Sequence, residues 1–348
     1  MTLQTQPQTV SVIVPCRNER AYIEAFCASL FAQALPPGWQ MQAVVADGQS
    51  DDGTAEWLAA RAAADPRLRV IDNPGRIVST GLNRALSIAS GSVIVRMDVH
   101  STYAPDYVAE CIAALQRTGA DNVGGAWKAV ANSVTHGAWQ QAICAVFQSR
   151  WISGGARSRL TDYEGEVDTV YLGAWPRASF DRFGGFDENL VRNQDDEHNL
   201  RITAGGGRVW QSARIHSSYT PRNNLRALWR QYLQYGYWKP YVMRKHGQPA
   251  ALRHLIPGAL VLALAAGALA LPFSPWPLVL VALAYAAVVS FATASLGAHG
   301  ASVLLRAPAV VAAYHLGYGL GSVLGWIDVL RGVSATQARH SRFARLTR

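Results

Sequence analysis

The sequence predicts an α/β protein: a mostly parallel sheet flanked by helices, followed by an α-helical membrane region. Three observations predict it. Short β-branched runs alternate with helix-periodic segments over roughly the first 250 residues, and those runs are continuously apolar rather than alternating. Beyond Ala250 the chain turns uncharged and apolar over two long stretches. A strand apolar on both faces belongs in a sheet covered by helices on both sides.

In chain order, Val10–Val14, Met41–Ala46, Leu68–Ile71, Val93–Met97 and Val123–Trp127 are expected strands. Between them, Ala21–Gln33, Thr54–Ala64, Ile77–Ala89 and Pro105–Thr118 carry helical spacing. Ligands of such sheets bind beyond the carboxyl ends of the strands. Asp47 and Asp98 stand there.

Leu255–Leu271 and Trp276–Leu296 each lack charge and approach the roughly 20 residues that cross a bilayer as a helix. The joint "PFSPWP" is turn-like and carries an interfacial tryptophan, so the pair reads as a membrane hairpin. Lys239, Arg244, Lys245 and Arg253 precede it, and the acid-free tail "RGVSATQARHSRFARLTR" follows. Basic flanks place both sides of the hairpin in the cytoplasm of a plasma membrane. Ala307–Leu330 is long enough for a third crossing, but its glycines, His315 and Asp328 favour a re-entrant or interfacial segment. The expected division is therefore 8–222 catalytic, 223–254 amphipathic interface, 255–330 membrane and 331–348 basic tail. Within the first part, Ser153–Asp168 is glycine- and charge-rich and reads as a mobile loop near the site.

The formal charge of +9 suits an anionic partner without choosing among phosphates, nucleic acid and acidic lipid. Four separated cysteines without a CxxC pair fit buried thiols in a reducing compartment, and the N-terminal residues do not read as a signal peptide. No GxGxxG follows the first strand and no GxxxxGK[ST] occurs, which argues against a dinucleotide dehydrogenase and a P-loop ATPase.

Four stretches carry candidate chemistry, each with a plainer reading beside it. "VSVIVPCRNER" ends a strand at a polar helix start that caps the helix or receives an anion. "VVADGQSDDGT" crowds Asp47, Asp51 and Asp52 around two glycines, as a capping turn or as acceptors for a base or ribose. In "MDVH", Asp98 and His100 are i and i+2, so extended backbone would point both to one side, where they suit Mn²⁺, Mg²⁺ or Zn²⁺. "RNQDDEHNLR" sets Asp195, Asp196 and Glu197 in a first helical turn, either complementing the dipole or supplying a general base. A fifth stretch, "WRQYLQYGYWKPYVMRKHG", mixes aromatics and bases as single-strand nucleic-acid binders do. The spans that follow it favour a membrane-surface helix, and no nucleic-acid partner is expected.

The order of these motifs over residues 10–250 resembles glycosyltransferase family 2, and within it the membrane-associated enzymes of bacterial exopolysaccharide assembly of the succinoglycan type. The resemblance implies the GT-A nucleotide-diphospho-sugar transferase fold. It implies that Pro15, Arg17 and Glu19 line the nucleotide, that Asp47 is the first carboxylate of the Asp-Asp-Gly-Ser-like turn, and that Arg76 approaches the nucleotide or its diphosphate. Gly48 stands where many members have a second Asp. Asp98 and His100 occupy the metal-binding Asp-x-Asp position with His replacing the second Asp, so a divalent cation, Mn²⁺ or Mg²⁺, is the implied cofactor. The catalytic Glu-Asp pair falls on Gln194 and Asp195, which leaves Asp195 as the expected base and Asp196 as its alternate. On the acceptor side the resemblance points to Trp175, Gln234 and Trp238, with Tyr237 where processive synthases carry Arg.

The implied reaction is inverting transfer from a nucleoside-diphosphate sugar, with uridine the expected base, to a hydroxyl of a polyprenyl-diphosphate-linked saccharide in exopolysaccharide or cell-surface polysaccharide biosynthesis. Two alternatives stand beside it: a polyprenyl-phosphate glycosyltransferase and a non-catalytic, membrane-bound sugar-nucleotide-binding protein.

Overall fold

The computed structural model describes residues 8–131, 137–149, 151–152, 154–249, 251–341 and 343. The elements run β1 (Gln8–Cys16), α1 (Ile23–Phe31), β2 (Trp39–Asp47), α2 (Thr54–Ala64), β3 (Leu68–Asp72), α3 (Val78–Ile88), β4 (Val93–Arg96) and β5 (Ser101–Tyr103). They continue α4 (Tyr107–Thr118), β6 (Asn122–Gly125), β7 (Trp127–Ala129), α5 (Ala138–Gln148), β8 (Gly165–Glu166), β9 (Tyr171–Pro176), α6 (Arg177–Phe183) and α7 (Gln194–Ala204). Last come β10 (Val209–Gln211), β11 (Ser217–Tyr219), α8 (Leu225–His246), α9 (Ile256–Leu269), α10 (Trp276–Ala294), α11 (Ala301–Leu330) and α12 (Ala335–Ala338). They divide into two compact units: Met1–Lys128 with Leu160–Glu188 and Gln194–Tyr219, and Ala129–Arg159 with Asn189–Asn193 and Thr220–Arg348.

The first unit is built on an eight-stranded sheet in the order β3-β2-β1-β4-β9-β6-β10-β8, beside a three-stranded sheet β5-β11-β7. β1 to β4 are parallel, as the alternation of strands and helices predicts. β9 lies antiparallel between β4 and β6. The continuous apolar strands are explained by burial on both faces. Val10, Val12 and Val14 join Phe26, Leu30, Leu58 and Ile112 on one side. Ile13, Val44 and Ala46 join Leu82, Trp175 and Phe180 on the other.

The expected strand Val123–Trp127 forms as two pieces, β6 and β7, in different sheets. Its hinge is Gly125, where any Cβ would run into the Ile215 carbonyl, and the β6–β9 register shifts between Val123 and Gly125. The stretch expected to be a mobile loop contains a short 3₁₀ turn at Arg157–Arg159 and the strand β8, while Ser153 itself lies outside the described residues.

In the second unit α8 is capped by the Asn224 side chain, which accepts from the Ala227 N–H at 2.8 Å, and ends on Gly247 in the left-handed conformation. It packs along α11 through glycines. A Cβ on Gly321 would meet the Leu233 carbonyl, one on Gly325 the Tyr237 carbonyl, and one on Gly236 the Tyr318 carbonyl. The backbones therefore approach to a distance that no side chain permits. Tyr237 donates to Asp328 Oδ2 at 2.7 Å, and the Phe343 ring stacks on Tyr237 at 4.2 Å. Of the polar residues that made the third hydrophobic segment look unusual, Asp328 thus has a partner on α8, and His315 lies against Tyr285 of α10.

Three helical stretches, Leu252–Leu269, Trp276–Ala294 and Ala301–Leu330, are long and apolar enough to cross a membrane. They are not alike. The most apolar window is 11% buried in the first and 6% in the second, but 44% in the third. α9 and α10 present Leu262 and Leu280 outward, as lipid-facing helices do, and Phe273 in the joint between them is exposed. α11, where a re-entrant or interfacial segment is expected, is one unbroken helix of 30 residues. Lys239, counted from sequence among the basic flank charges, is buried in the second unit. Residues 344–348 of the basic tail lie outside the described residues.

Gly321→Val and Gly325→Val are expected to lower the stability of the detergent-solubilised protein by about 1–3 kcal/mol each through overpacking. Leu305→Ala, at a position 80% exposed, is expected to leave it unchanged. Thermal unfolding followed by tryptophan fluorescence checks both.

Candidate active site

Parallel register brings the carboxyl ends of the first three strands side by side: Cys16 pairs with Asp47, and Asp47 with Asp72. Each following loop contains a non-glycine residue in the left-handed region, Asn18 at φ 55°, Gln49 at φ 57° and Arg76 at φ 56°. Such conformations cost of order 1–3 kcal/mol and persist where the surroundings fix them. Here a dense set of hydrogen bonds does so. Asn18 Nδ2 donates to Asp51 Oδ1 and Asn18 Oδ1 accepts the Asp51 N–H, at 2.8 and 3.0 Å. The Ser50 N–H and hydroxyl both donate to Asp47, at 3.0 and 2.6 Å. The Arg20 N–H donates to Asp52, the Glu19 N–H to Thr54 Oγ1, and Arg76 Nε to Gln49 Oε1 at 2.7 Å.

Pro15 and Arg17 are half-buried at this edge, Glu19 and Asp47 are buried, and Arg76 is exposed. Gly48 has a structural reason: the Arg17 side chain lies across it, with carbons 3.1–3.3 Å from where a Cβ would be.

At the end of β4 the pair formed is one the sequence reading missed. Arg96 Nε donates to Asp98 Oδ1 at 2.9 Å and Nη2 to Oδ2 at 3.1 Å, a bidentate clasp between two buried residues. Burial works against the Arg96 charge, but the carboxylates of Asp98 and, more weakly, Asp195 outweigh it and hold its pKa above the ordinary range. The chain then turns, with the Ser101 N–H donating to the Asp98 carbonyl at 3.1 Å. Tyr103 locks the turn: its hydroxyl accepts the Asp98 N–H at 2.6 Å and donates to the Asp98 carbonyl at 3.0 Å. Burial and the Asp98 charge push the Tyr103 phenol well above its usual range, so it stays a donor.

The extended geometry expected for Asp98-Val99-His100 is therefore replaced by a turn. His100 Nδ1 lies 3.6 Å from Glu19 Oε1, and its ring meets Tyr219 edge-on at 6.1 Å. The i, i+2 rule does operate here, one step earlier, between Arg96 and Asp98.

Asp195 and Asp196 open α7, half-buried, with the Asp196 N–H donating to Asp195 Oδ1 at 3.0 Å. Gln194 before them is buried. Glu197, the third acid, is fully buried and pairs with Arg201 four residues on, while Arg201 Nη1 donates to the Phe183 and Gly185 carbonyls. That places Glu197 in the scaffold.

The three residues expected on the acceptor side are interior. Trp175 is 1% exposed, enclosed by Phe180, Phe186 and His198 on the strand register Ile94↔Trp175. Trp238 is 0% exposed within the second unit, and Gln234 is buried there with its Oε1 accepting from Arg192 Nε at 3.3 Å. A fully enclosed indole has no face left for a saccharide.

Among the described residues no group of three or more His, Cys, Asp or Glu is gathered to hold a metal ion. Asp98 offers one carboxylate, clasped by Arg96, and His100 one imidazole, turned toward Glu19. That donor set fits Mn²⁺ or Mg²⁺ that arrives with most of its oxygen ligands, as a diphosphate and water provide.

Residues 11–180 match the profile of Glycosyl transferase family 2. The chain is 32% identical to the succinoglycan biosynthesis protein ExoA of Rhizobium meliloti (strain 1021) over 251 residues, 72% of this chain and 74% of that one. It is 23% identical to the dolichyl N-acetyl-alpha-D-glucosaminyl phosphate 3-beta-D-2,3-diacetamido-2,3-dideoxy-beta-D-glucuronosyltransferase of Methanococcus voltae, over 68% of this chain and 74% of that one. Among solved structures it is similar to the mannosyltransferase PcManGT from Pyrobaculum calidifontis in complex with GDP-Man and Mn²⁺, with a TM-score of 0.54 and 21% identity over 94% of this chain and 88% of that one. At that identity the likeness concerns the fold.

Trp175→Ala is expected to cost about 3–5 kcal/mol of stability as a core truncation. Tyr103→Phe strips the turn of both hydrogen bonds and is expected to cost about 1–3 kcal/mol. Its signature is faster amide exchange confined to residues near 98–103, read by hydrogen-exchange mass spectrometry.

Proposed function

The chain belongs to glycosyltransferase family 2, and from that premise we propose that it transfers a sugar, with inversion, from a nucleoside diphosphate to a hydroxyl of a polyprenyl-diphosphate-linked saccharide at the cytoplasmic face of a membrane. One observation carries the reading: within a single unit, Glu19, Asp47 and Asp98 stand at neighbouring strand ends, and the charge of Asp195 reaches the arginine that holds Asp98. Two relatives point the same way, one named for succinoglycan biosynthesis and one for transfer to a lipid-linked sugar.

In this reading the nucleotide lies along the loops after β1 and β2. Pro15 and Arg17 flank it, Asp47 and Glu19 accept its hydrogen bonds, and the exposed Arg76 meets its diphosphate. The stitched loops hold these groups in place before the donor arrives, which saves ordering cost on binding. A divalent cation held by Asp98 and His100 would neutralise charge on the departing diphosphate. Asp195 takes the proton of the acceptor hydroxyl as its oxygen attacks the anomeric carbon. It stands in the first turn of α7, where the helix dipole favours negative charge, and Asp196 is the alternate. A single displacement inverts the anomeric centre. The apolar, outward faces of α9 and α10 support docking in lipid, with Arg244, Lys245 and Arg253 toward the anionic cytoplasmic leaflet.

Detergent-solubilised protein with Mn²⁺, a panel of nucleotide sugars and a lipid-linked acceptor extract is expected to release nucleoside diphosphate in an acceptor-dependent way. Asp195→Asn should lower the rate at saturating donor by about 10²–10⁴-fold with the donor KM little changed. Full activity in Asp195→Asn would redirect the assignment to a lipid phosphate acceptor, which needs no base. Absence of release with every donor would overturn the enzymatic reading.

A further inference from the structure

The Arg96–Asp98 clasp sets an electrostatic condition on the cation site. Both carboxylate oxygens of Asp98 are already hydrogen-bonded to a guanidinium, and Arg96 is 5% exposed, so water does not screen its charge. Arg96 Nη1 is buried as well and finds no hydrogen-bond partner among the described residues, while the guanidinium charge is met by Asp98 and, more weakly, by Asp195. A bare divalent cation approaching Asp98 gains less from a carboxylate that a guanidinium already neutralises than from a free one. A nucleoside diphosphate carrying the same cation brings its own negative charge and ligands.

We propose that Arg96 is a positioning residue that makes cation binding at Asp98 conditional on the nucleoside diphosphate. The guanidinium does not touch the substrate. It holds Asp98 in one orientation through both oxygens and cancels its charge, so that the ion is retained only when the diphosphate supplies the missing negative charge and ligands. The sequence "RMD" at the end of β4 encodes the device, because two residues apart on a strand share a face. Arginine rather than lysine gives the two-point clasp, while the charge alone gives the neutralisation. This rests on Asp98 as a cation ligand, and the test separates the two ideas.

The test is Mn²⁺ binding to the full chain in detergent, read by the electron paramagnetic resonance signal of free Mn²⁺, with protein-free Mn²⁺ and nucleotide as the baseline. Wild type is expected to bind Mn²⁺ at least about tenfold more tightly with UDP or GDP than without. Arg96→Gln is expected to raise nucleotide-free Mn²⁺ affinity by about tenfold and to shrink the effect of nucleotide by the same factor. Arg96→Lys, which keeps the charge, should stay within about threefold of wild type without nucleotide. A merely structural arginine would make the Gln and Lys variants alike.

Asp98→Asn should abolish the nucleotide-dependent binding. If it does, and Arg96→Gln leaves the nucleotide-free affinity unchanged or weaker, the Arg96 proposal alone is overturned. If Asp98→Asn binds as wild type does, Asp98 is not a ligand and both ideas fall. Should Arg96→Gln not fold, wild type binding Mn²⁺ equally well without nucleotide still overturns the proposal.

Discussion

The buried pair between Arg96 and Asp98 is the interaction on which the site depends. β4 lies at the middle of the sheet, between β1 and β9, and ends on a cation that faces the carboxylate two residues later. An ion pair this far from water depends on good geometry between its partners, and losing one of them typically costs about 3–5 kcal/mol. The fork supplies that geometry. The turn that follows exists because Asp98 is fixed: its backbone N–H and carbonyl are both taken by Tyr103, and its carbonyl also accepts from Ser101. His100 is thereby swung toward Glu19, which joins the loop after β1 to the end of β4.

The loops after β1, β2 and β3 solve a second problem, that of holding polar groups rigidly at a sheet edge. Asn18, Gln49 and Arg76 hold unfavourable backbone conformations, and the side chains of Asn18, Asp47, Ser50 and Asp52 accept backbone N–H groups of these loops. Strain and hydrogen bonding are two sides of one arrangement here. The acids that look from sequence like a cluster waiting for a ligand are in large part employed in the loop itself, and only what remains of their acceptor capacity faces outward. In the second unit the equivalent constraint is steric. Glycines on α8 and α11 let two backbones touch, and this contact makes α11 a packed helix where α9 and α10 are exposed ones.

Much of this was legible in the sequence. Apart from the short β5, the strand and helix positions of the first 118 residues follow from apolar runs and helical spacing, and β1 to β4 form within two residues of expectation. The parallel order follows from the alternation, and the candidate acids fall at strand ends and a helix start as expected. What the sequence reading missed has identifiable causes. Arg96 was passed over because it sits inside an apolar strand, although the rule applied to Asp98 and His100 would have found it. The acceptor-side tryptophans were assigned by resemblance, and composition carries no information on whether an indole faces a cleft or a core. The antiparallel β9 leaves no local signature, since a short buried strand reads alike in either direction.

The sequence by itself therefore determined the elements, their alternation, the apolar C-terminal helices and the family, because these depend on local periodicity and on motif order. Only the tertiary structure decided which charges pair, which way His100 turns, and that Trp175 and Trp238 belong to the interior. Those outcomes depend on contacts between residues distant in the chain, and on burial, which converts a surface ion pair of little consequence into an organising one. The pairing of Arg96 with Asp98 shows the division: a spacing of two residues specifies that the side chains share a face, but it is the sheet packed around them that removes the water and makes the contact matter.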